Sequence, residues 1–218
     1  EGIAQLLSAQ ILAGQYERQK ALLTQSEIKL LHAQVNPHFL FNALNTLSAV
    51  IRRDPEQART LVQHLSTFFR KNLKRQSDEV TLADELEHVQ AYLYIEQARF
   101  ADRLSVTLDI PGALLACRLP AFALQPLVEN AIKHGIAQLL GPGELRLSAQ
   151  ADATTLTLQV CDNAGLYRPP QAGDGLGLSI VDRRIKARFG EAYGLSVTCE
   201  PECQTVVTLT LPRQEMTV

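Results

Sequence analysis

The chain has little net charge: 21 Lys and Arg against 23 Asp and Glu leave -2 over 218 residues. A protein that binds nucleic acid through phosphate contacts is normally basic, so no direct nucleic-acid partner is expected. Apolar runs approaching the ~20 residues needed to cross a bilayer are missing, and no signal peptide opens the sequence. Cysteines are few and scattered, at Cys117, Cys161, Cys199 and Cys203. Cys199 and Cys203 are close enough to face each other, but no His or second Cys pair completes a zinc site. Free thiols in a reducing compartment are the expectation. A Walker A lysine is also absent, which excludes a P-loop.

Glycine and proline are scarce up to residue 101, where only Gly2, Gly14, Pro37 and Pro55 occur. Apolar residues recur there at three- and four-residue intervals, which predicts helix throughout. The chain opens at Glu1, in what reads as mid-helix, so it is expected to be a piece of a longer protein. Ile3, Leu7, Ile11, Leu22, Leu23, Ile28 and Leu31 suit a signalling coiled coil over 1–30, or a plain surface helix. In the next helix Leu40, Leu44, Leu47 and Ile51 share one stripe, with Gln34, His38, Asn42 and Asn45 roughly opposite. Asp54-Pro55 breaks that helix, and a second stripe follows at Leu61, Leu65, Phe68 and Phe69. Two such helices, over 31–80, read as an antiparallel hairpin. One hairpin encloses its own core poorly, so a homodimer with a four-helix bundle is expected. Arg70, Lys71, Lys74 and Arg75 complement the dipole at the end of the second helix.

Thr81 and Asp84 form a capping box that opens a connecting helix over 81–103. Beyond it the texture turns to strands: 105–110, 144–149, 155–160, 195–199 and 206–211 alternate or cluster apolar residues. Helices are predicted between them at 120–134 and 178–189, the latter stopped by Gly190. The fold class is therefore α+β, with a helical hairpin followed by a domain over 104–213 whose helices cover one face of a mixed sheet.

Four constellations carry chemistry. In the 120–134 helix Leu124, Val128, Ala131 and Ile132 make the buried face, while Glu129, Asn130, Lys133 and His134 share the other. Asn130 offers a carbonyl oxygen to Mg²⁺ and Lys133 a charge to phosphate, although a solvated face with a Glu129–Lys133 pair looks the same. Asp162, at a strand end before Gly165, can accept a hydrogen bond from an amino group such as that of adenine, and Asp-Asn-Gly also makes ordinary turns. Gly173-Asp174-Gly175-Leu176-Gly177 runs into a helix beginning at Leu178, where glycines and free N–H groups suit a polyphosphate or a flexible connection. The loop before it, Ala164 to Gly173, is long enough to close over a nucleotide. Finally, His38 follows Pro37 on a polar helix face. A neutral imidazole accepts phosphoryl well near pH 7, yet a lone His there is commonly a surface residue, the class given to His32, His64 and His88.

Together these stretches resemble a known family. Gln34-Val35-Asn36-Pro37-His38-Phe39-Leu40-Phe41-Asn42 resembles the H-box of the LytS/YehU-type sensor histidine kinases. Leu127-Val128-Glu129-Asn130-Ala131-Ile132-Lys133-His134-Gly135 resembles their N-box, and Tyr92 to Phe100 their pre-catalytic helix. The resemblance implies a Bergerat-type α/β sandwich, as in gyrase, Hsp90 and MutL, that binds ATP and Mg²⁺. It implies His38 as phosphoacceptor, Asn130 as magnesium ligand, and Lys133 and His134 at the phosphates. Asp162 would read adenine, Gly165 would belong to a first glycine box, and Gly173, Gly175, Gly177 and Leu178 to a second. A membrane-bound sensory region upstream and a LytTR-type response regulator as partner are implied too. This chain would then be the cytoplasmic part of an inner-membrane sensor. The pattern departs from the family in two places. Ala164 stands where such kinases carry a glycine, and Phe39 where many place an acid after the histidine. Glu129 is the candidate base. An ATP hydrolase of the gyrase/Hsp90 type, or a nucleotide-binding scaffold or phosphatase with little kinase activity, are the alternatives.

Overall fold

A computed structural model describes residues 37–74, 78–168 and 176–214. The coiled coil expected over 1–30, and Gly173 and Gly175, lie outside the described residues. The chain forms two compact units, Glu1–Leu44 and Asn45–Val218.

Helix α1 spans Pro37–Val50 and α2 spans Pro55–Lys74. They part where Asp54-Pro55 predicts. Pro55 takes the first helical position, where a missing N–H costs nothing. Asp54 Oδ1 accepts the Gln57 N–H at 2.9 Å, a side-chain cap. α2 buries Leu61 and Phe68 and half-buries Leu65 and Phe69, as its stripe requires. α1 departs from its predicted stripe. Phe39, Ala43 and Thr46 are its buried positions, whereas Leu44 and Ile51 are 44% and 53% exposed. Both sets have helical spacing and adjoin each other on the helix, so periodicity alone did not choose between them.

Residues 79–81 correct the expectation of helix throughout the first hundred residues. They form β1, Glu79–Thr81, paired antiparallel with β3, Arg118–Pro120. The capping box then opens α3, Leu82–Phe100: Thr81 Oγ1 accepts the Asp84 N–H, and Asp84 Oδ2 accepts the Thr81 N–H, both at 3.1 Å. α3 is more than a connector. Its first amides, from Leu82 and Ala83, donate to Cys117 and Leu115 carbonyls at 2.8 and 3.0 Å. Glu85, His88, Tyr92 and Glu96, at helical spacing, are all buried. His88 is thus not the surface residue its polar surroundings suggested; it is fully buried and stacked on Phe68 with ring centroids 4.8 Å apart.

The sheet has the order β2-β4-β5-β7-β6, with β2 (Leu104–Asp109) parallel to β4 (Gly143–Ala151). β5 (Thr155–Asp162), β7 (Gln204–Pro212) and β6 (Gly194–Glu200) complete it in antiparallel pairings. Alternation decides which face is covered. Leu145, Leu147 and Ala149, then Leu156, Leu158 and Val160, then Val207, Leu209 and Leu211 are buried, one residue in two along each strand. Helices α4 (Gln125–Asn130) and α5 (Leu176–Phe189) bury Leu127, Val128, Val181 and Ile185. The result is the layered α+β architecture expected for 104–213. Gly190, at φ +93°, ends α5 by donating to the Lys186 carbonyl at 2.8 Å.

Two helix starts differ from expectation. α4 begins at Gln125, not Pro120, because the buried Glu85 carboxylate accepts the Phe122 and Leu124 amides at 2.9 and 3.0 Å. α5 begins at Leu176, so Gly177 lies inside the helix.

Candidate nucleotide site and phosphoacceptor helix

The helix carrying Glu129 and Asn130 does not stay α-helical. After Asn130 it widens into a π turn, Ala131–Gly135, a local distortion often found at functional positions. The buried face is the predicted one, Leu124, Val128, Ala131 and Ile132. Glu129 and Asn130 are half-buried, and Lys133 and His134 are exposed.

The end of this turn meets the end of β5. A Cβ placed on Gly135 would lie 2.8 Å from Asp162 Oδ1. Only glycine lets the two segments approach so closely. The end of the π turn that follows Asn130 and the Asp162 carboxylate are thereby brought together from separate elements. Gly177 and Leu178 lie in the first turn of α5, Gly177 with open space around its Cα and Leu178 half-buried.

Asp162 is 3% exposed. Burial pushes its carboxyl above the usual range, opposed by the amides of Ala164 and Gly165; the Ala164 N–H donates to Oδ1 at 3.0 Å. The Asp162–Gly165 turn closes despite Ala164, whose amide supplies that bond. Gly165, at φ +60°, is the glycine the turn needs, since a Cβ there would sit 2.3 Å from the Glu200 carbonyl. Asn163 ties the turn to β4: its Oδ1 accepts the Glu144 N–H at 2.8 Å and its Nδ2 donates to the Pro142 carbonyl at 3.1 Å.

Glu129 is held from within the protein. Gln125 Nε2 donates to its Oε1 at 2.5 Å. Burial raises the Glu129 carboxyl, against the lowering effects of Gln125 and Lys133. Glu96 is pushed up to about 7, mainly by burial; Arg99 opposes this and Glu129 adds to it. Arg99 pairs with Glu96 at 2.6 Å. Tyr92 is raised by burial and then by the fields of both glutamates. Glu85, Gln125, Glu96 and Asn163 were not singled out by sequence. Glu85 and Asn163 bond to residues far away along the chain, whereas Glu96 with Arg99 and Gln125 with Glu129 had the i,i+3 and i,i+4 spacing that was a readable signal.

His38 is exposed on α1, and its Nδ1 lies 3.2 Å from Asn42 Nδ2, one helical turn on. Among the described residues no group of three or more His, Cys, Asp or Glu side chains could hold a metal ion.

The family model described as "Histidine kinase" matches residues 26–104. The model described as "Histidine kinase-, DNA gyrase B-, and HSP90-like ATPase" matches residues 118–215. The chain belongs to the histidine kinase family. It is 68% identical over 212 residues to "Sensor histidine kinase BtsS" of Escherichia coli, a match covering 97% of this chain and 38% of that protein. It is 37% identical over 230 residues to "Sensor protein LytS" of Bacillus subtilis, covering 99% and 39%. The LytS protein of Staphylococcus saprophyticus is 40% identical over 224 residues, covering 97% and 38%. This histidine kinase chain thus spans about two fifths of the length of the curated relatives it matches. The fold around Asp162 and the π turn is that of the ATPase domain the second model describes.

Proposed function

We propose that this chain is the kinase region of a membrane-anchored sensor protein. It binds ATP beside Asp162, phosphorylates His38, and passes the phosphoryl group to an aspartate of a response regulator. The observation that carries the reading is the close approach of Gly135 to the buried Asp162 carboxylate. That approach sets an adenine-reading acceptor next to a helix bearing Asn130, Lys133 and His134. Lys133 and His134, exposed at the end of the helix, would balance phosphate charge. Gly177 and Leu178 would lie against the phosphates at the start of α5.

Asn130 suits magnesium. A half-buried Asn side chain, with no metal-holding cluster of His, Cys, Asp or Glu among the described residues, fits an ion that takes one or two protein ligands and the phosphate oxygens of its substrate. When bound, the ion would neutralise charge on the phosphates.

In the reaction a neutral His38 ring nitrogen donates its lone pair to the γ-phosphorus. The N–P bond forms, the bond from phosphorus to the ADP oxygen breaks, and ADP leaves. The proton on the other ring nitrogen goes to a base, for which Glu129 is the candidate. Its raised affinity for a proton suits that role. Most of the rate is expected to come from positioning and charge stabilisation.

α1 exposes Phe41 (68%), Leu44 (44%) and Ile51 (53%) along one side. A contiguous apolar face of this kind on a hairpin helix supports pairing with a second copy of the chain. The regulator partner, of LytTR type, rests on the resemblance to the LytS relatives.

The test is incubation with γ-labelled ATP and Mg²⁺ beside His38→Gln. An acid-labile, alkali-stable label that the variant lacks is the expected result. Phosphate release without labelling would replace the kinase with a hydrolase.

A further inference from the structure

A carboxylate that acts at a reacting group must be held in one orientation, and a single flexible glutamate does not hold itself. Glu129 has one built support. Gln125, one turn earlier on α4 and 9% exposed, donates from Nε2 to Glu129 Oε1 at 2.5 Å. The other end of the same amide is also occupied. Gln125 Oε1 lies 2.6 Å from Nε2 of His88, on α3. An ionised carboxylate only accepts hydrogen bonds, so the amide must present its NH₂ group to Glu129 and its oxygen to His88. His88 must then donate from Nε2.

The far end is fixed too. His88 is fully buried, stacked on Phe68 with ring planes 5° apart and edge-on to Phe122 at 6.1 Å. α3 itself is tied to the start of α4, because Glu85, one turn before His88, takes the Phe122 and Leu124 amides. The ring cannot turn without breaking aromatic packing, and the amide cannot flip without setting its oxygen against the ionised Glu129 carboxylate. The line His88, Gln125, Glu129 has a single consistent hydrogen-bond polarity.

We propose that Gln125 and His88 are positioning residues that fix the Glu129 carboxylate for its part in phosphoryl transfer. Gln125 acts directly, and His88 acts by holding the Gln125 amide. The proposal rests on the part in phosphoryl transfer put forward above for Glu129, and on the hydrogen bonds that hold its side chain. It adds two residues from different helices that act through the Glu129 carboxylate.

The experiment is a double-mutant cycle on the whole chain. Gln125→Met keeps size and removes both hydrogen bonds. Two quantities are read for each variant: the labelling rate at saturating ATP, and the dissociation constant for ATP. Glu129→Gln alone is expected to slow labelling about 100-fold. Gln125→Met is expected to slow it about tenfold, with ATP affinity within about twofold of the parent. In the Glu129→Gln background Gln125→Met is expected to add nothing, since there is no carboxylate left to position. His88→Phe, which preserves the stack on Phe68, should slow labelling in the same direction by a smaller factor and be equally silent in that background.

If Glu129→Gln labels at the parent rate, the base assignment itself falls. If Glu129→Gln is slow but Gln125→Met is normal, or costs the same factor in both backgrounds, the positioning role falls while the base assignment stands. A loss of ATP affinity that matches the loss of rate would show Gln125 to be a plain structural support, and would also overturn the proposal.

Discussion

The two polar regions around which the chemistry gathers are built in opposite ways. On α1, His38 is exposed and lies beside Asn42, from its own helix. Around Asp162 and Glu129, polar groups from α3, α4, β4, β5 and the β6–β7 turn interlock, several of them out of reach of water. A nucleotide site must hold its acceptors and donors still before the ligand arrives, which favours buried and fully partnered groups. In the role proposed for His38, the side chain must meet two different partners in turn, ATP and a regulator. Exposure on a helix serves that better than burial. Chemistry and stability should accordingly be coupled in the second region and separable in the first.

The largest expected effect lies where that coupling is tightest. Gly165 has φ +60°, and a Cβ there would meet Glu200 O at 2.3 Å, Cys203 N at 2.5 Å and Glu202 N at 2.6 Å. All three are backbone atoms of the β6–β7 turn, so no side chain can swing away. Gly165→Ala should cost about 3 kcal/mol or more in chemical denaturation, combining left-handed strain with displaced backbone. ATP affinity should fall with it, because the amides of Ala164 and Gly165 hold Asp162. A variant as stable as the parent that still binds ATP normally would show that this turn is looser than its geometry implies.

Glu96 gives a pH-dependent version of the comparison. Its carboxyl is held near 7, against about 4.3 in an unfolded chain. The folded state binds the proton more tightly, so this stabilising effect is full below about pH 4 and is lost as pH rises through 7. Glu96→Gln removes the ionisable group. The stability of the variant relative to the parent should therefore rise by about 2 kcal/mol between pH 5.5 and pH 8. A difference independent of pH would mean that the Arg99 ion pair balances burial at all pH values.

Much of the second region was readable in advance. The capping box at Thr81 and Asp84, the alternation in 144–149 and 206–211, the buried face of the 120–134 helix and the stop at Gly190 rest on local spacing, and local spacing survives folding. The approach of Gly135 to Asp162 was not among the expectations, since nothing in either segment specifies the other. The misses are long-range. His88 sits among polar residues, yet lies on a stripe with Glu85, Tyr92 and Glu96, and the hydrogen-bond partners of His88 and Glu85 are more than 30 residues away. The start of α4 was misplaced because a distant carboxylate takes amides that a helix would otherwise have used. On α1 two adjacent faces both had helical spacing, and only packing distinguished Phe39 and Ala43 from Leu44 and Ile51.

The smallest expected effect tests whether α1 is as separable as it looks. Asn42 lies one turn from His38, its Nδ2 3.2 Å from the ring Nδ1. Asn42→Ala removes that contact and substitutes a better helix former. The two effects oppose each other on a surface helix, so stability should stay within about 0.5 kcal/mol of the parent. Labelling should still slow by a factor of about three, because the imidazole then samples more rotamers before transfer. Unchanged stability with slower labelling would establish that α1 presents its histidine without depending on it for folding. A stability loss above about 1 kcal/mol would place Asn42 in the same class as Gly165 and erase the contrast between the two regions.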